Sequence, residues 1–267
     1  MEPLRLPPII TLTTDFGLAD HYVGTMKGVL LSRCPDARVV DISHDVPPFS
    51  VHAGAYAIDQ AAPYFPSGTV HVIVIDPGVG TPRKALLVEA LEQYFIAPDN
   101  GVLSMIYARD RGPKSYEIVN RDLWLPVLSH TFHGRDIFAP VAAAVASGAA
   151  TPVNVGPILS EIQLLTDLEA EEIVPRFWRG TVLSIDRFGN VITNFSVAAF
   201  RLIASSRFTI RVNETNITQF RTTFAGAPRG LCFAFFGSSR YVELGMDQDS
   251  AAALLKASPG NPITLQF

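Results

Sequence analysis

A carboxylate and a guanidinium group seven residues apart form the most promising pair of reactive side chains in this sequence. Asp76 follows the apolar run 71–75, and the segment Asp-Pro-Gly-Val-Gly-Thr-Pro leads from it to Arg83. An uninterrupted apolar run of this length, bounded by turn residues, is typical of a buried parallel strand. A carboxylate at the carboxyl end of such a strand can bind a ligand or accept a proton from a bound water. The same pattern fits an ordinary turn, since Asp before Pro-Gly is common turn chemistry.

Three other short polar segments lie where predicted elements begin or end. The segment Asp15-Phe-Gly follows an apolar, β-branched run, residues 131–136 precede a run of small apolar residues, and residues 186–190 follow another β-rich run. Each segment alone is more often structural than functional. Four glycine-containing polar segments at the ends of elements together favour one composite binding site.

The sequence lacks the motifs that mark several common classes of enzyme and binding protein. The chain contains no Gly-x-x-x-x-Gly-Lys-Ser/Thr loop and no Gly-x-Gly-x-x-Gly after a strand, which disfavours nucleotide-triphosphate and NAD binding. A Gly-x-Ser-x-Gly nucleophile elbow is also missing. The six histidines are scattered, without His-Glu-x-x-His or paired-cysteine spacing, so no metal site is predicted and a catalytic metal is a minor alternative.

Charge and hydropathy limit the partners. The formal net charge of −4 disfavours a nucleic-acid partner, and no run of Lys and Arg suggests an anionic membrane surface. The N-terminus lacks the basic start and apolar core of a signal peptide. No apolar run approaches the ~20 residues that a spanning helix needs. Cys34 and Cys232 lie far apart and are expected to be reduced thiols, so we expect a cytoplasmic protein with no nucleic-acid or membrane partner.

Strands alternate with helices along the N-terminal half of the chain. The pattern predicts strands at 9–15, 39–44, 71–75, 85–89 and 94–97, and helices at 21–31, 51–65, 103–108 and 138–147. It favours an α/β N-terminal domain, residues 1–165, with a mostly parallel central sheet. The acidic stretch 166–176 is predicted to be a linker. Short β-rich runs separated by turns over 177–267 predict a small all-β, barrel-like C-terminal domain.

Six segments, taken in order, resemble one protein family. They are Asp15-Phe-Gly, Asp41-Ile-Ser-His, Asp76-Pro-Gly-Val-Gly-Thr, Pro98-Asp-Asn-Gly, Thr131-Phe-His-Gly-Arg-Asp and Asp186-Arg-Phe-Gly-Asn. The chain, from about Ile9 onward, is similar to the S-adenosyl-L-methionine hydrolases, or hydroxide adenosyltransferases, whose relatives synthesise adenosyl fluoride and chloride. The resemblance implies that S-adenosylmethionine and water give adenosine and L-methionine, with no cofactor. It also implies an N-terminal α/β domain, a C-terminal β-barrel domain, and a homotrimer whose sites lie between neighbouring subunits.

The resemblance assigns roles by position. The catalytic residues it implies are Asp76, Arg83 and His133. The substrate-binding residues it implies are Asp15 at the ribose diol, Phe49 as an aromatic wall, Asp186 and Asn190 at methionine with Phe188 between them, and Ser238, Glu243 and Met246 on the adenine side. The segment 236–250 departs from the family pattern, so its adenine contacts are the least constrained of these expectations.

Departures from the halogen-transferring relatives at four positions favour hydrolysis. Those relatives carry Tyr where Asp76 stands and Ser where Gly134 stands, and they lack partners equivalent to Arg83 and His133. A carboxylate beside the position of the nucleophile repels a halide, but it can orient or deprotonate water. Halide transfer, and a slow-turnover protein that senses adenosine or S-adenosylmethionine, are the alternatives to hydrolysis.

Overall fold

The computed structural model describes residues 7–267, which fall into two compact units, one ending at Leu165 and the other covering Thr166–Phe267. The strands of the first unit are β1 (Ile9–Thr14), β2 (Arg38–Ser43), β3 (Val70–Val74), β4 (Ala85–Ala90), β5 (Gln93–Pro98), β6 (Lys114–Glu117) and β7 (Ile158–Leu159). Its helices are α1 (Tyr22–Arg33), α2 (Val51–Ala61), α3 (Ser104–Arg109), α4 (Ala139–Ser147) and α5 (Pro152–Val155). Short 3₁₀ turns lie at Ala62–Tyr64 and Arg121–Leu123, and a π-helical turn at Gly134–Phe138 leads into α4.

The seven strands of the first unit form one sheet in the order β2-β1-β3-β5-β4-β6-β7. The pairs β2-β1, β1-β3 and β3-β5 are parallel, whereas β5-β4, β4-β6 and β6-β7 are antiparallel. The predicted α/β class is confirmed, with a sheet that is parallel in one half and antiparallel in the other. The change comes at the hairpin β4-β5, whose turn residues Leu91 and Glu92 both have positive φ, the geometry that short hairpin turns require.

Strand β3 lies inside this sheet and is covered on both faces. Val72 and Val74 pack in a cluster with helices α1 and α4, while Ile73 and the following Ile75 pack in a second cluster with α2 and α3. All four side chains are nearly inaccessible to solvent. Burial on both faces explains why the sequence of this strand is continuously apolar rather than alternating.

The second unit is all-β apart from short helical segments. Its strands are β8 (Glu171–Val174), β9 (Phe177–Ile185), β10 (Val191–Ser196), β11 (Thr209–Val212), β12 (Thr215–Ile217), β13 (Phe233–Phe236), β14 (Tyr241–Gly245) and β15 (Pro262–Gln266). Its helical segments are α6 (Val197–Phe200), a 3₁₀ turn at Arg201–Ala204 and α7 (Ala251–Leu255).

Every strand pair in this second sheet is antiparallel, in the order β12-β11-β15-β9-β10-β14-β13 with β8 beside β9. The expectation of a small barrel-like domain is confirmed. Phe195, Ile210 and Leu265 belong to its single buried cluster. Part of the predicted linker, residues 171–174, is the strand β8.

No helix among residues 7–267 combines the length and the apolar composition that crossing a membrane demands.

Candidate active site

Asp76, Arg83 and His133 meet in one hydrogen-bonded cluster. The Nε of Arg83 donates to Oδ1 of Asp76 at 2.9 Å, and its Nη2 donates to Oδ2 of the same carboxylate. Nη2 also lies 2.9 Å from Nδ1 of His133. The side chains of Arg83 and Asp76 are only 7% and 5% exposed. Such a two-pronged contact fixes the direction of the carboxylate as well as its distance.

The turn after β3 brings Arg83 back to Asp76. The amide of Val79 donates to the carbonyl of Asp76 at 3.1 Å, and the hydroxyl of Thr81 donates to the carbonyl of Gly78 at 2.7 Å. Gly80 has φ +79°, and a Cβ there would lie 2.5 Å from the carbonyl oxygen of His130. A side chain at position 80 would therefore separate this turn from the segment that carries His133.

His133 precedes the π-helical turn and is held as a neutral imidazole. Burial, and then the charge of Arg83, lower the pKa of His133 below its ordinary value, while Asp76 opposes the shift. Because a guanidinium can only donate, the bond from Arg83 requires that Nδ1 be the acceptor. The proton of the neutral ring then lies on Nε2. Single π-helical turns of this kind are often found at functional sites.

Asp15 follows β1, which runs parallel to β3, so it lies at the same end of the sheet as Asp76. Its Oδ2 accepts a hydrogen bond of 2.8 Å from the amide of Phe49, a residue with φ +66° whose side chain is 72% exposed. Burial is the main cause that raises the pKa of Asp15, and the charge of Asp76 raises it further. His44 supports this turn, since its carbonyl accepts from the amide of Gly17 at 2.8 Å.

A cavity of about 220 Å³ joins these groups in the first unit. It is lined by four of the predicted residues, namely Asp15, Phe49, Asp76 and His133, and by seven others, namely Phe16, Pro48, Val74, Val79, Thr131, Phe132 and Gly134. Arg83 lies behind the wall, bonded to Asp76 and His133. The arrangement places a carboxylate and an imidazole beside a small space, which suits the orientation of one water or of a small polar group.

In the second unit, Asp186 and Asn190 close the hairpin between β9 and β10. Oδ1 of Asp186 accepts from the amides of Phe188 at 2.9 Å and Asn190 at 2.8 Å, and Oδ2 accepts from Nδ2 of Asn190 at 2.7 Å. Gly189, with φ +84°, completes the turn. The turn leaves the side chain of Phe188 79% exposed.

A second cavity, of about 530 Å³, lies beside that turn. Three predicted residues line it, namely Phe188, Asn190 and Met246, together with Phe224, Asp247, Gln248, Asp249 and Ser250. Phe224 was missed because it lies in an irregular stretch with no strand or helix pattern. The signal that could have found it is a large aromatic residue among small and polar loop residues.

Two predicted adenine-side residues do not line this cavity. Glu243 is buried in β14, where its Oε1 accepts from the hydroxyl of Ser239 at 2.7 Å. Burial raises the pKa of Glu243. Ser238 is exposed in the turn between β13 and β14. These two residues therefore do not share the cavity wall formed by Phe188, Asn190 and Met246.

Among residues 7–267, the structure contains no cluster of three His, Cys, Asp or Glu side chains with the geometry to hold a metal ion.

Comparison with protein families gives two matches that together span most of the chain. Residues 10–156 match the profile described as the SAM hydroxide adenosyltransferase N-terminal domain, and residues 180–264 match that of the SAM hydroxide adenosyltransferase C-terminal domain.

Curated relatives agree with these profiles. The chain is 39% identical to the (R)-S-adenosyl-L-methionine hydrolase of Salinispora arenicola over 260 residues, 96% of this chain and 97% of the relative. The protein of the same name from Thermus thermophilus is 35% identical over 264 residues, 94% of this chain and 97% of the relative. A fluorinase of Nocardia brasiliensis is 28% identical over 92% of each chain.

Solved structures have the same fold. An uncharacterized conserved protein from Thermotoga maritima superimposes with a TM-score of 0.85 at 33% identity, covering 97% of this chain and all of that one. A conserved hypothetical protein from Thermus thermophilus gives a TM-score of 0.75, also at 33% identity, over 97% of this chain and 99% of its own.

Proposed function

This chain belongs to the SAM hydroxide adenosyltransferase family, and from that premise we propose that it hydrolyses S-adenosyl-L-methionine to adenosine and L-methionine. The observation that carries the proposal is the cluster of Asp76, Arg83 and His133 beside a small cavity that Asp15 also lines. Asp76 places a carboxylate where the distant halogen-transferring relatives are expected to have Tyr, and a carboxylate there favours water over a halide.

The reaction is an in-line displacement at C5′ of the ribose. The oxygen of water forms a bond to C5′ while the C5′–S bond breaks, and that bonding pair goes to sulfur. The sulfonium thereby becomes the neutral thioether of methionine, so the leaving group needs no proton. One proton leaves the attacking water, and the balance is adenosine, L-methionine and that proton. The obstacle is the weak nucleophilicity of water, which positioning and partial deprotonation overcome.

The hydrogen bonds of the cluster support a different role for each of its members. The bond from Arg83 occupies Nδ1 of His133, and Nε2 already carries a proton, so the neutral imidazole is a donor toward the cavity. Each oxygen of Asp76 can accept another hydrogen bond besides the one from Arg83. We therefore assign the orientation and deprotonation of water to Asp76. Arg83 fixes that carboxylate, and His133 donates to the oxygen of the water.

The remaining residues are assigned to substrate binding. Asp15 accepts from the ribose hydroxyls, and Phe49 forms an aromatic wall. The second unit binds the methionine and adenine portions, with the family positions Asp186, Phe188, Asn190, Ser238, Glu243 and Met246 as the contributing residues. The sites form between subunits of a homotrimer, in the cytoplasm. The exposed ring of Phe188 supports this assignment, because a large aromatic side chain at the tip of a hairpin is available to a ligand or to a neighbouring subunit.

Isotope labelling tests the reaction. The purified protein is incubated with the (R) and (S) sulfonium epimers of S-adenosylmethionine in H₂¹⁸O, and nucleosides are analysed by mass spectrometry. We expect adenosine with one ¹⁸O at its 5′ hydroxyl and an equal amount of methionine, with preference for the (R) epimer for which the relatives are named. Intact substrate at stoichiometric enzyme would exclude hydrolysis, and chloride-dependent 5′-chloro-5′-deoxyadenosine would indicate halide transfer.

A matched pair of variants ties the activity to the cluster. Asp76→Asn removes the proposed base, whereas Asp110→Asn alters a carboxylate that accepts only backbone amides, from Leu91 at 2.6 Å and Gly112 at 2.7 Å. We expect only the first variant to lose most of its rate of ¹⁸O transfer. Equal activity in both would refute the assignment of Asp76.

Mixing subunits tests the shared site. Asp76→Asn and Phe188→Ala are each expected to be inactive or weak alone. If sites form between subunits, mixed trimers contain some sites with both native residues and recover activity. Absence of recovery, with subunit exchange shown by native mass spectrometry, would place both residues of a site in one chain.

A further inference from the structure

Asn100 contacts the backbone on which the Asp76–Arg83 pair is built. Its Nδ2 donates to the carbonyl of Ile75 at 2.8 Å, and its Oδ1 accepts from the amide of Val102 at 3.1 Å. Ile75 is the residue immediately before Asp76. Asn100 does not line the cavity of the first unit, so its side chain acts on the protein and not on the substrate.

The bond from Asn100 lies where the regular strand pairing has ended. Strand β3 pairs with β5 through Val70–Tyr94, His71–Phe95 and Val72–Ile96. Ile75 lies beyond those pairs and is fully buried. A buried carbonyl without a hydrogen-bond partner destabilises the folded state. The amide of Asn100 supplies the donor that a neighbouring strand would otherwise provide, and it thereby fixes the peptide that leads into Asp76.

The same turn also contacts the chain beside Arg83. The amide of Asp99 donates to the carbonyl of Lys84 at 3.0 Å. That carbonyl accepts from Nη1 of Arg83 as well, at 3.1 Å. The carboxylate of Asp99 is buried and accepts from the amide of Gln163 at 2.7 Å, which anchors the turn to the rest of the unit.

We propose that Asn100 is a positioning residue for the Asp76–Arg83 pair, and that the turn 99–100 holds the two segments in the geometry that lets both nitrogens of Arg83 reach the Asp76 carboxylate. The largely exposed loop 77–82 connects Asp76 to Arg83 along the chain. The turn 99–100 contacts the residues beside them, since it donates hydrogen bonds to the carbonyls of Ile75 and Lys84. The expected effect on kcat rests on the proposed hydrolysis. The position of Arg83 can be tested separately, through the titration of His133.

Asn100→Asp is the informative substitution because it keeps the shape and the acceptor for Val102 while replacing the donor by an oxygen that faces the carbonyl of Ile75. The chain offers a matched control. Asn120 makes the same two bonds at the same lengths, with Nδ2 donating to the carbonyl of Asn154 at 2.8 Å and Oδ1 accepting from the amide of Asp122 at 3.1 Å. Neither partner lines the cavity.

We expect N100D to lower kcat about 10- to 100-fold with KM within about threefold of wild type, as displacement of a reacting group by about 1 Å does. We expect N120D to keep kcat within about twofold. Both variants are measured at equal folded fraction, determined by circular dichroism. N100A, which removes both bonds without introducing a repulsive oxygen, is expected to give a smaller loss of kcat and replaces N100D if that variant does not fold.

The second readout is the titration of His133, followed by NMR of its imidazole. Arg83, Asp76, Asp136 and His130 act on this ring, and Arg83 is the charge that lowers its pKa most. This titration is followed in N100A, because the new carboxylate of N100D would raise the pKa of His133 by its own charge. If Arg83 loosens, the pKa of His133 in N100A rises toward its ordinary value, whereas N120A leaves it unchanged. This shift supports the inference even if wild type proves inactive, an outcome that would sink only the proposed hydrolysis. Unchanged titration of His133 in N100A, or equal loss of kcat in N100D and N120D, overturns the inference.

Discussion

Asp76 and Asp186 occupy similar places in the two units, since each follows a strand and precedes a glycine-containing turn. The carboxylate of Asp186 accepts three hydrogen bonds, all from Phe188 and Asn190 in its own turn. The carboxylate of Asp76 is instead bonded to a cationic side chain, Arg83, and faces a cavity. In sequence both turns show the same simple feature, an Asp followed within three residues by a glycine.

The hydrogen-bond partners of the two carboxylates indicate two different roles. A carboxylate that accepts its own turn's amides stabilises that turn, and most of its acceptor capacity is used. A carboxylate that is oriented by a buried guanidinium at the wall of a cavity is available to a bound water. We therefore expect changes at Asp76 to act on the chemical step, and changes at Asp186 to act on the local fold and on binding.

The largest effect is expected from Asp76→Asn. This change keeps the side-chain shape but removes the proposed base, and kcat should fall about 10³-fold, within the range usual for acid–base groups. Adenosine affinity, measured by calorimetry, should stay within about threefold of wild type. Because Arg83 loses its counter-charge, the melting temperature should also fall. Turnover within about tenfold of wild type would show that Asp76 is no more catalytic than Asp186.

Asp15→Asn is expected to have the next largest effect, and on KM instead of kcat. Asparagine can still accept from the amide of Phe49, so the turn is retained, but ribose hydroxyls lose a charged acceptor. Hydrogen bonds to charged groups contribute about 1.5–3 kcal/mol, so KM should rise about 10- to 100-fold. Steady-state kinetics with S-adenosylmethionine provide the measurement. A loss of kcat as large as that of D76N would mean that Asp15 belongs to the chemical step.

Local patterns were sufficient to predict most elements of the first unit but not all pairings. The apolar run before Asp76 predicted β3, and 3.6-residue spacing predicted α1. The strands β6 and β7 were missed because they have four and two residues, too few to show alternation. The direction of β4 against β5 depends on the turn at Leu91 and Glu92, neither of which is a typical residue for positive φ.

The candidate site was predicted where the chain itself places groups close together. Asp76 and Arg83 are separated by only seven positions, and Asp15 leaves a strand that pairs with β3. His133 was assigned by resemblance alone, since no local pattern relates it to Arg83, fifty residues earlier. The place of Phe224 in the wall of the second cavity and the bond from Asn100 to Ile75 depend on contacts distant in sequence, and periodicity does not report such contacts.

Asp186→Ala tests the other half of the comparison. The substitution removes the acceptor of two backbone amides and of the Asn190 side chain, and the turn is partly open to solvent. The free energy of unfolding, measured with urea, should fall by about 1–3 kcal/mol, and KM should rise because the turn carries Phe188. The kcat at saturating substrate should stay within about threefold. Asp186→Asn retains an acceptor for the two amides and should recover most of the stability.

A loss of kcat in D186A comparable to that in D76N would remove the distinction between the two turns. The distinction would also be lost if D186A were as stable as wild type and only its kcat were reduced.

The smallest expected effect is on the pH dependence of kcat. Burial and Arg83 lower the pKa of His133, so the ring is neutral at pH 7 and takes up a proton only below its ordinary range near 6.5. Protonation places a hydrogen on Nδ1, which can then no longer accept from Arg83, and kcat should fall by less than about tenfold as the pH decreases through that lowered pKa.

The variant His133→Asn tests this assignment, because its Oδ1 can accept from Arg83 and its side chain does not titrate. The kcat of this variant should be lower than that of wild type but should not change between pH 5 and 8. It is measured at saturating substrate, so that an effect of pH on substrate binding by Asp15 does not enter. An acid limb that persists unchanged in H133N would show that protonation of His133 is not its cause, and the assigned contact between Arg83 and neutral His133 would then have no part in the pH dependence.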